Sequence, residues 1–253
     1  MSTEITASHI QKKPELLNQT VIVIGGSAGI GLETARRARA EGARLILTGR
    51  NPEPLRVAAS EVDALSTAAF DATDPALVER FFHDLPTMID HVMVTAGQPY
   101  YGRLIDLDLT QASRALSEHL ILFINVARYA ANKIRPGGTL VFMGGTGSRR
   151  PSIGLGIAST VTASLPALTA NLALELAPVR VNLIAAGFVD TPLSASLLGD
   201  ELEKRRNHLR AKLPIRRVVE SSDVAALAVH IMINSALTGA TYDIDGGQQF
   251  VDA

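Results

Sequence analysis

The stretch TVIVIGGSAGIG, residues 20–31, decides the fold. Its first five residues are a β-branched apolar run, which is typical of a strand buried on both faces of a parallel sheet. The glycine-rich turn that follows leads into IGLETARRARAEGA (30–43), where apolar residues recur with helical spacing. This order of strand, turn and helix indicates a phosphate site, because the unpaired N–H groups and the dipole at a helix N-terminus attract an anion.

The predicted phosphate cradle consists of Gly25, Ser27, Ala28, Gly29, Ile30 and Gly31. A plain tight turn is the alternative for any glycine-rich string. The strand before it and the helix after it favour the phosphate site.

Further strands and helices alternate along the rest of the chain. Strands are predicted at 20–26, 44–49, within 66–74, and at 91–97, 137–145, 179–187 and 240–245. Helices are predicted at 30–43, 74–85, 108–134, 155–177, 194–212 and 221–234. This alternation predicts an α/β protein with a parallel sheet covered on both faces. We expect a polar lead-in over 1–18 and one domain over 19–253.

The composition excludes several classes of function. A hydrophobic fraction of 47% excludes wholesale disorder, and a net charge of −1 gives no reason to expect nucleic acid as a partner. The chain has no cysteine, which excludes disulfides and zinc–thiolate sites. His83 and His91 lack metal-ligand spacing, so we expect no metal. No apolar run approaches the roughly 18 residues that span a bilayer, and we expect a cytoplasmic protein without a membrane partner.

The end of the second predicted strand bears on cofactor choice. Folds that bind NAD usually place an acidic residue there for the ribose 2′-hydroxyl. Here the strand ends in Gly49 and Arg50, followed by Asn51. A guanidinium at this place can clamp a 2′-phosphate, which favours NADP(H). A solvated arginine on a turn is the alternative.

Several motifs together resemble the short-chain dehydrogenase/reductase family from about residue 20 onward. They are GGSAGIG (25–31), TGR (48–50), DATD (71–74), TAG (95–97), GGTLVFM (137–143), LALELAP (172–178), VRVN (179–182), AGFVDTP (186–192) and YDIDGG (242–247). The resemblance implies a Rossmann-like, doubly wound sheet of about seven strands and a homodimer or homotetramer. It also implies that Asp71 and Ala72 touch the adenine, that Ala96 and Gly97 line the cofactor cleft, and that Gly187, Val189 and Thr191 hold the nicotinamide carboxamide.

The catalytic tetrad of that family does not carry over. By alignment, its tyrosine falls on Ala158, its lysine on Thr162, its serine on Gly145 and its asparagine on His119. Thr95 also replaces the asparagine of the family's usual Asn-Ala-Gly. General acid catalysis contributes about two to four orders of magnitude, so we expect poor reduction of an unactivated ketone. A substrate with its own acidic hydroxyl escapes this limit.

Three residues are candidates for the missing proton donor. His119 titrates near neutrality, although it is equally compatible with packing in a helix interface. Tyr100 and Tyr101 follow TAGQP on a loop that borders the substrate cleft in the family. Their alternative roles are lining the cleft or contacting another subunit.

Residues on and just before the predicted helix 155–177, which lacks the family's tyrosine and lysine, give weaker indications of function. Ser148, Arg149 and Arg150 either meet an acidic substrate or form a solvated turn. Ser159, Thr160 and Ser164 have no base to activate them, so we expect them to shape the cleft. Pro166 predicts a kink that frees the carbonyl of Thr162.

Three functions remain open on the sequence. The first is an NADP(H)-dependent oxidoreductase that transfers hydride, as a ketoreductase does, to a carbonyl or activated C=X group of a small molecule, with a non-standard or substrate-assisted active site. The second is a non-catalytic NADP(H)-binding sensor or partner protein. The third is a redox-neutral cyclase or isomerase that reuses the cleft.

Overall fold

Nine strands organise the molecule, in a computed structural model that describes residues 13–252. They are β1 (Thr20–Ile24), β2 (Arg44–Gly49), β3 (Ser66–Ala69), β4 (Ile89–Val94), β5 (Ile134–Gly145), β6 (Arg180–Ala186), β7 (Val189–Asp190), β8 (Val219–Glu220) and β9 (Thr241–Ile244). Seven of them form one parallel sheet in the order β3-β2-β1-β4-β5-β6-β9, and β7 pairs with β8. The predicted doubly wound sheet of seven strands is confirmed.

Within residues 13–252, eight α-helices connect and cover the strands. They are α1 (Gly29–Ala40), α2 (Pro52–Glu61), α3 (Pro75–His83), α4 (Leu109–Ala130), α5 (Gly156–Glu175), α6 (Pro192–Leu198), α7 (Leu202–Lys212) and α8 (Ser221–Ile233). One apolar cluster lies between the sheet and α1, α2 and α8, and a second lies between the sheet and α3, α4 and α5. Burial on both faces explains why every residue of β1 is buried.

The sheet order places a crevice at one edge. From β1 the chain builds outward through β2 and β3, and it then crosses back to place β4 on the other side of β1. The connections after β1 and β4 therefore diverge to opposite faces, which opens a gap at the carboxyl ends of these two strands.

Two segments differ from the predicted helices. Helix α2 begins at Pro52 in a stretch with no predicted element. The helical region predicted near 194–212 consists of two helices, since α6 ends at Leu198 before Gly199, whose φ is +49°, and α7 starts at Leu202.

The lead-in is described only from Lys13 onward, so most of the predicted segment 1–18 lies outside the described residues. Leu16 is fully buried in the first apolar cluster, and its N–H donates to the carbonyl of Glu41 at 2.9 Å. The part just before β1 thus packs on the domain.

Helix α5 corrects one expectation. Its 20 residues are long and apolar enough, by length and composition alone, to cross a membrane, so the statement that no run approaches that length was wrong. Core helices of soluble proteins pass the same test, and α5 packs against β6 and α4. Pro166 lies inside this helix without ending it, and the kink stays a prediction.

Candidate functional site

A cleft of about 450 Å³ opens at the carboxyl ends of β1 and β4. Of the residues predicted from sequence, those that line it are Gly25, Ser27, Ala28, Arg50, Asp71, Ala72, Ala96, Gly97, Tyr100 and His119. Those that do not line it are Gly29, Ile30, Gly31, Asn51, Gly187, Val189, Thr191, Tyr101, Gly145, Ala158 and Thr162.

The turn between β1 and α1 has no room for a side chain at Gly25 or Gly31. Gly25 has a φ of +94°, and a Cβ at this position would lie 2.7 Å from Oγ1 of Thr95. A Cβ at Gly31 would lie equally close to that hydroxyl and would also overlap the Gly25 carbonyl. Ala28, the N-cap of α1, makes no side-chain capping bond. The first N–H groups of α1 therefore face the turn without a side-chain acceptor.

Thr95 ties β4 to this turn. Its hydroxyl donates to the carbonyls of Ile24 and Gly25, at 3.2 and 3.1 Å. Where the family has an asparagine, this chain thus uses a hydroxyl to join the ends of β1 and β4.

The charged end of the cleft combines Arg50 and Asp71. They follow β2 and β3, which are neighbours in the sheet. The pKa of Asp71 is held below its usual range, first by the N–H of Thr73 and then by the hydroxyl of Thr73 and the charge of Arg50. Asp71 is therefore ionised at neutral pH, and the exposed guanidinium of Arg50 lies close enough to stabilise the carboxylate.

His119 comes from α4 and lies against Gly97. A Cβ at Gly97 would lie 3.0 Å from Nδ1 of the imidazole, so a side chain there would push the ring from its position. The ring packs on Phe123 with centroids 5.0 Å apart, and Phe123 in turn stacks on Phe142. Burial lowers the pKa of His119 below its ordinary value. His119 is thus a neutral imidazole at pH 7, held by an aromatic neighbour.

The two tyrosines separate. Tyr100 lines the cleft, whereas Tyr101 lies outside it with half of its surface exposed. Desolvation by neighbouring atoms raises the pKa of the Tyr101 phenol, which makes it a weaker acid. The structure therefore brings only Tyr100 and His119 together at the cleft.

At and beside the tetrad positions of α5, hydroxyl groups make hydrogen bonds within the protein. The hydroxyl of Thr162 accepts the N–H of Ser148 at 3.1 Å and donates to the Ala158 carbonyl at 3.0 Å. The hydroxyl of Ser159 donates to the Gly147 carbonyl at 2.9 Å. These hydroxyls close the β5–α5 turn.

The arginines of the turn after β5 form ion pairs within the protein. Arg149 pairs with Asp243 on β9, and Arg150 pairs with Asp252 at 3.3 Å. These ion pairs join the turn to the C-terminal segment. The turn is therefore neither the anion site nor the solvated loop that the sequence left open.

The residues after β6 are tightly packed. A Cβ at Gly187 would lie 2.6 Å from Oε1 of Gln248. The Thr191 hydroxyl accepts the N–H of Ser194 at 3.1 Å, and the Ser194 hydroxyl donates to the Val189 carbonyl at 2.6 Å. Thr191 also lies beside the start of α1, since its Cβ is 3.7 Å from the position of a Cβ at Gly29. The residues predicted to hold the carboxamide therefore adjoin the predicted phosphate cradle here.

Sequence reasoning missed one wall of the cleft. The residues on this wall are Gln111, Arg114, Ala115, Glu118 and Leu122, all from α4. With His119 they recur at helical spacing, so extending a helical face from His119 would have found them. Arg114 donates to Glu118 at 3.1 Å, which makes this wall polar and nearly neutral in charge.

Comparison with known proteins gives the family. The family model described as enoyl-(acyl carrier protein) reductase matches residues 25–249. Dehydrogenase/reductase SDR family member 4 of Oryctolagus cuniculus is 27% identical over 96% of this chain and 98% of its own. The short-chain dehydrogenase/reductase ATR9 of Stachybotrys chlorohalonatus is 26% identical over 92% of this chain and 98% of its own.

Solved structures agree with this. A small-chain dehydrogenase in complex with NADPH is 27% identical with a TM-score of 0.79, covering 92% of this chain and 99% of that one. A short-chain dehydrogenase from Burkholderia cenocepacia in complex with NADP is also 27% identical, with a TM-score of 0.83 over 92% and 98%. The chain belongs to the short-chain dehydrogenase/reductase family.

Proposed function

We propose that this protein is an NADP(H)-dependent oxidoreductase of a small molecule, with His119 in place of the family's proton-donating machinery. The observation that carries the proposal is the cleft itself. It joins a glycine-rich turn at a helix N-terminus, an arginine beside an ionised aspartate, and one partly buried imidazole.

The residues present fit NADP(H). Gly25 and Gly31 let α1 begin close against the ends of β1 and β4, and the N–H groups at its uncapped start would receive a pyrophosphate. Arg50, with Ser27 near Gly49, would hold the 2′-phosphate, and Asp71 would accept from the adenine. Two relatives at 27% identity were crystallised with NADPH or NADP, which supports the same choice here. NADPH supplies a hydride when bound.

The proton must come from a group of the chain or of the substrate. His119 lies partly buried on the α4 wall. Its imidazolium, the minor form at pH 7 because burial lowers the pKa, would give its proton to the substrate oxygen and take one back from solvent. Tyr100 lines the same cleft, and its phenol O–H is a second candidate donor there. A substrate that carries an acidic hydroxyl would need neither group.

Transfer of deuterium tests this function. NADPH deuterated stereospecifically at C4 is incubated with the protein and a small-molecule extract of its host, and the label is followed by mass spectrometry. We expect label in one compound. Arg50→Ala should weaken NADPH binding about tenfold or more, because a charge-assisted pair is lost. His119→Asn should lower the rate while NADPH still binds.

A non-catalytic NADP(H)-binding protein is the second candidate. The observation that favours it is the use of Ser159 and Thr162 for the β5–α5 turn, which leaves no hydroxyl of these two for catalysis. NADPH binding without transfer of label to any compound would support this candidate. Product formation without NADPH turnover would indicate a redox-neutral cyclase or isomerase.

We also propose a homodimer or homotetramer in the cytoplasm. The outer faces of α4 and α5 are neighbours and expose apolar residues, among them Ile121, Ile124, Ala163 and Ala167. Such a face favours association with a second copy.

A further inference from the structure

Large apolar side chains stand exposed beside the cleft. Leu104 and Ile105 are 86% and 85% exposed, Leu109 is 74% exposed and Ile153 is 84% exposed. Single exposed apolar residues are ordinary, whereas a contiguous group marks a binding surface. We call these four residues the apolar rim.

Contacts between two loops join the rim to the cleft. The loop after β4 carries Leu104 and Ile105, and the loop after β5 carries Ile153. The N–H of Gly102 in the first loop donates to the carbonyl of Gly154 in the second at 3.0 Å. The first loop begins with Gln98, Pro99 and Tyr100, which line the cleft. The rim thus continues the wall of the cleft outward.

The rim also continues onto α4. Leu109 is the first residue of this helix, and Gln111, in the same turn, lines the cleft. A ligand that extends out of the cleft along the loops would therefore meet Leu109 as well.

Few charges are placed to receive an anionic ligand at the rim. Arg149 and Arg150 are paired with Asp243 and Asp252. Within the loop 98–107 the charged residues are Arg103 and Asp106, which have opposite signs. The net charge offered to a ligand by this loop is thus close to zero.

We propose that the substrate is a neutral molecule with an extended apolar body, which lies along the apolar rim while its reactive group enters the cleft. This inference rests on the proposed function. Each methylene removed from water raises affinity about fourfold at most in open contact. A rim of four residues therefore selects a long apolar body over a short one.

Straight-chain primary amides, from butanamide to decanamide, test the rim, because NADPH does not reduce them. Binding is measured by calorimetry, with and without NADPH, and by the change in fluorescence of bound NADPH. Leu104→Ser and Ile153→Ser are compared with Leu65→Ser, an apolar residue that is 65% exposed before β3, at the opposite edge of the sheet.

We expect the Kd to fall about two- to fourfold per methylene. The two rim variants should raise the Kd of decanamide about five- to twentyfold and leave the Kd of NADPH unchanged, and Leu65→Ser should change neither. Affinity that does not depend on chain length, or rim variants that behave like Leu65→Ser, would overturn the proposal. A change of oligomeric state in the rim variants without loss of amide affinity would overturn it too.

Failure of the proposed function gives a different pattern. In that case NADPH does not bind, or no label is transferred, while the amides bound without NADPH still show the dependence on chain length and on the rim variants. The two failures are therefore distinguishable.

Discussion

At the scale of single residues, Gly31 illustrates how the cleft depends on missing side chains. A Cβ at this position would overlap the Gly25 carbonyl and lie 2.7 Å from the Thr95 hydroxyl, both of which help to join β1 and β4. Gly156 offers a matched control, since a Cβ there meets nothing within 4 Å at the start of α5.

We expect Gly31→Ala to lower the free energy of unfolding by about 1–3 kcal/mol, as overpacking does. Because the turn must widen, the Kd of NADPH should rise about tenfold or more, which corresponds to about 1.4 kcal/mol. Gly156→Ala should change stability by less than about 1 kcal/mol, with a gain favoured by the helix propensity of alanine. Urea denaturation and NADPH titration measure both; equal effects of the two variants would contradict the packing account.

His91 makes the protein sensitive to acid. It is buried on β4, with Nε2 2.6 Å from Oε1 of Gln19 and Nδ1 without a hydrogen-bond partner. Burial, and then the charge of Arg180, lower the pKa of His91 to about 3. Below about pH 6.5, His91 therefore binds a proton in the unfolded chain but stays neutral in the folded chain. The free energy of unfolding falls as the pH drops from 6.5 toward 3.

For this reason we predict that wild type loses about 3 kcal/mol more than His91→Gln between pH 7 and pH 4. Glutamine keeps a donor for Gln19 and does not titrate. The free energy of unfolding is measured by urea denaturation at each pH. Parallel pH profiles of the two proteins would exclude His91 as the source of the acid sensitivity.

At the scale of elements, α5 has a structural residue, Thr162, at a position where the family has a catalytic one. Thr162→Val keeps the shape of the side chain but leaves the partly buried N–H of Ser148 without an acceptor. Thr160→Val is the matched control, because the Thr160 hydroxyl is exposed and donates only to the Gly156 carbonyl within its own helix.

We expect Thr162→Val to lower the free energy of unfolding by about 1–2 kcal/mol, the typical result of stranding one donor. Thr160→Val should stay within about 0.5 kcal/mol of wild type, as exposed substitutions usually do. Thermal unfolding of both variants measures the difference. A neutral Thr162→Val would mean that the hydroxyl does not hold the β5–α5 turn.

The elements that could be predicted from sequence are those with a clear apolar run or a clear helical spacing of apolar residues. The run 44–49 matches β2 because a short apolar stretch ends in glycine. Helix α2 escaped because PEPLRVAASE begins with prolines and buries only Leu55 and Ala58. β7 and β8 have two residues each, too few for a strand period to be visible.

The site was predictable where backbone geometry dictates the residue type. It was not predictable where the conformation of a loop determines which side chain reaches the cleft. The turn at Gly25 and Gly31 follows from glycine chemistry. Tyr100 and Tyr101 are neighbours on one loop, and nothing in their order reveals that only Tyr100 lines the cleft. His119 was found by family alignment, while its packing against Gly97 depends on the approach of α4 to the end of β4.

At the scale of the whole molecule, α5 is an apolar helix that the single chain leaves largely uncovered. Its buried residues are Val161, Leu165 and Thr169. Leu174, farther along the helix, is 80% exposed. Mean hydropathy over its most apolar 18 residues is 1.3, with 22% of that window buried. A second copy that packs α4 and α5 against their equivalents would remove this surface from water.

Ile124→Glu and Ala167→Glu test that arrangement, with Leu65→Glu as a control at a distant exposed apolar site. We expect wild type and the control to have a molar mass by light scattering that is a multiple of the 26.9 kDa chain. Each variant on the α4–α5 face should raise the dissociation constant of the oligomer at least about a hundredfold, because a carboxylate cannot be buried unpaired without a cost of several kcal/mol. Circular dichroism checks that the variants remain folded. A wild-type mass of one chain, or an unchanged mass in both face variants, would show that this face does not hold copies of the protein together.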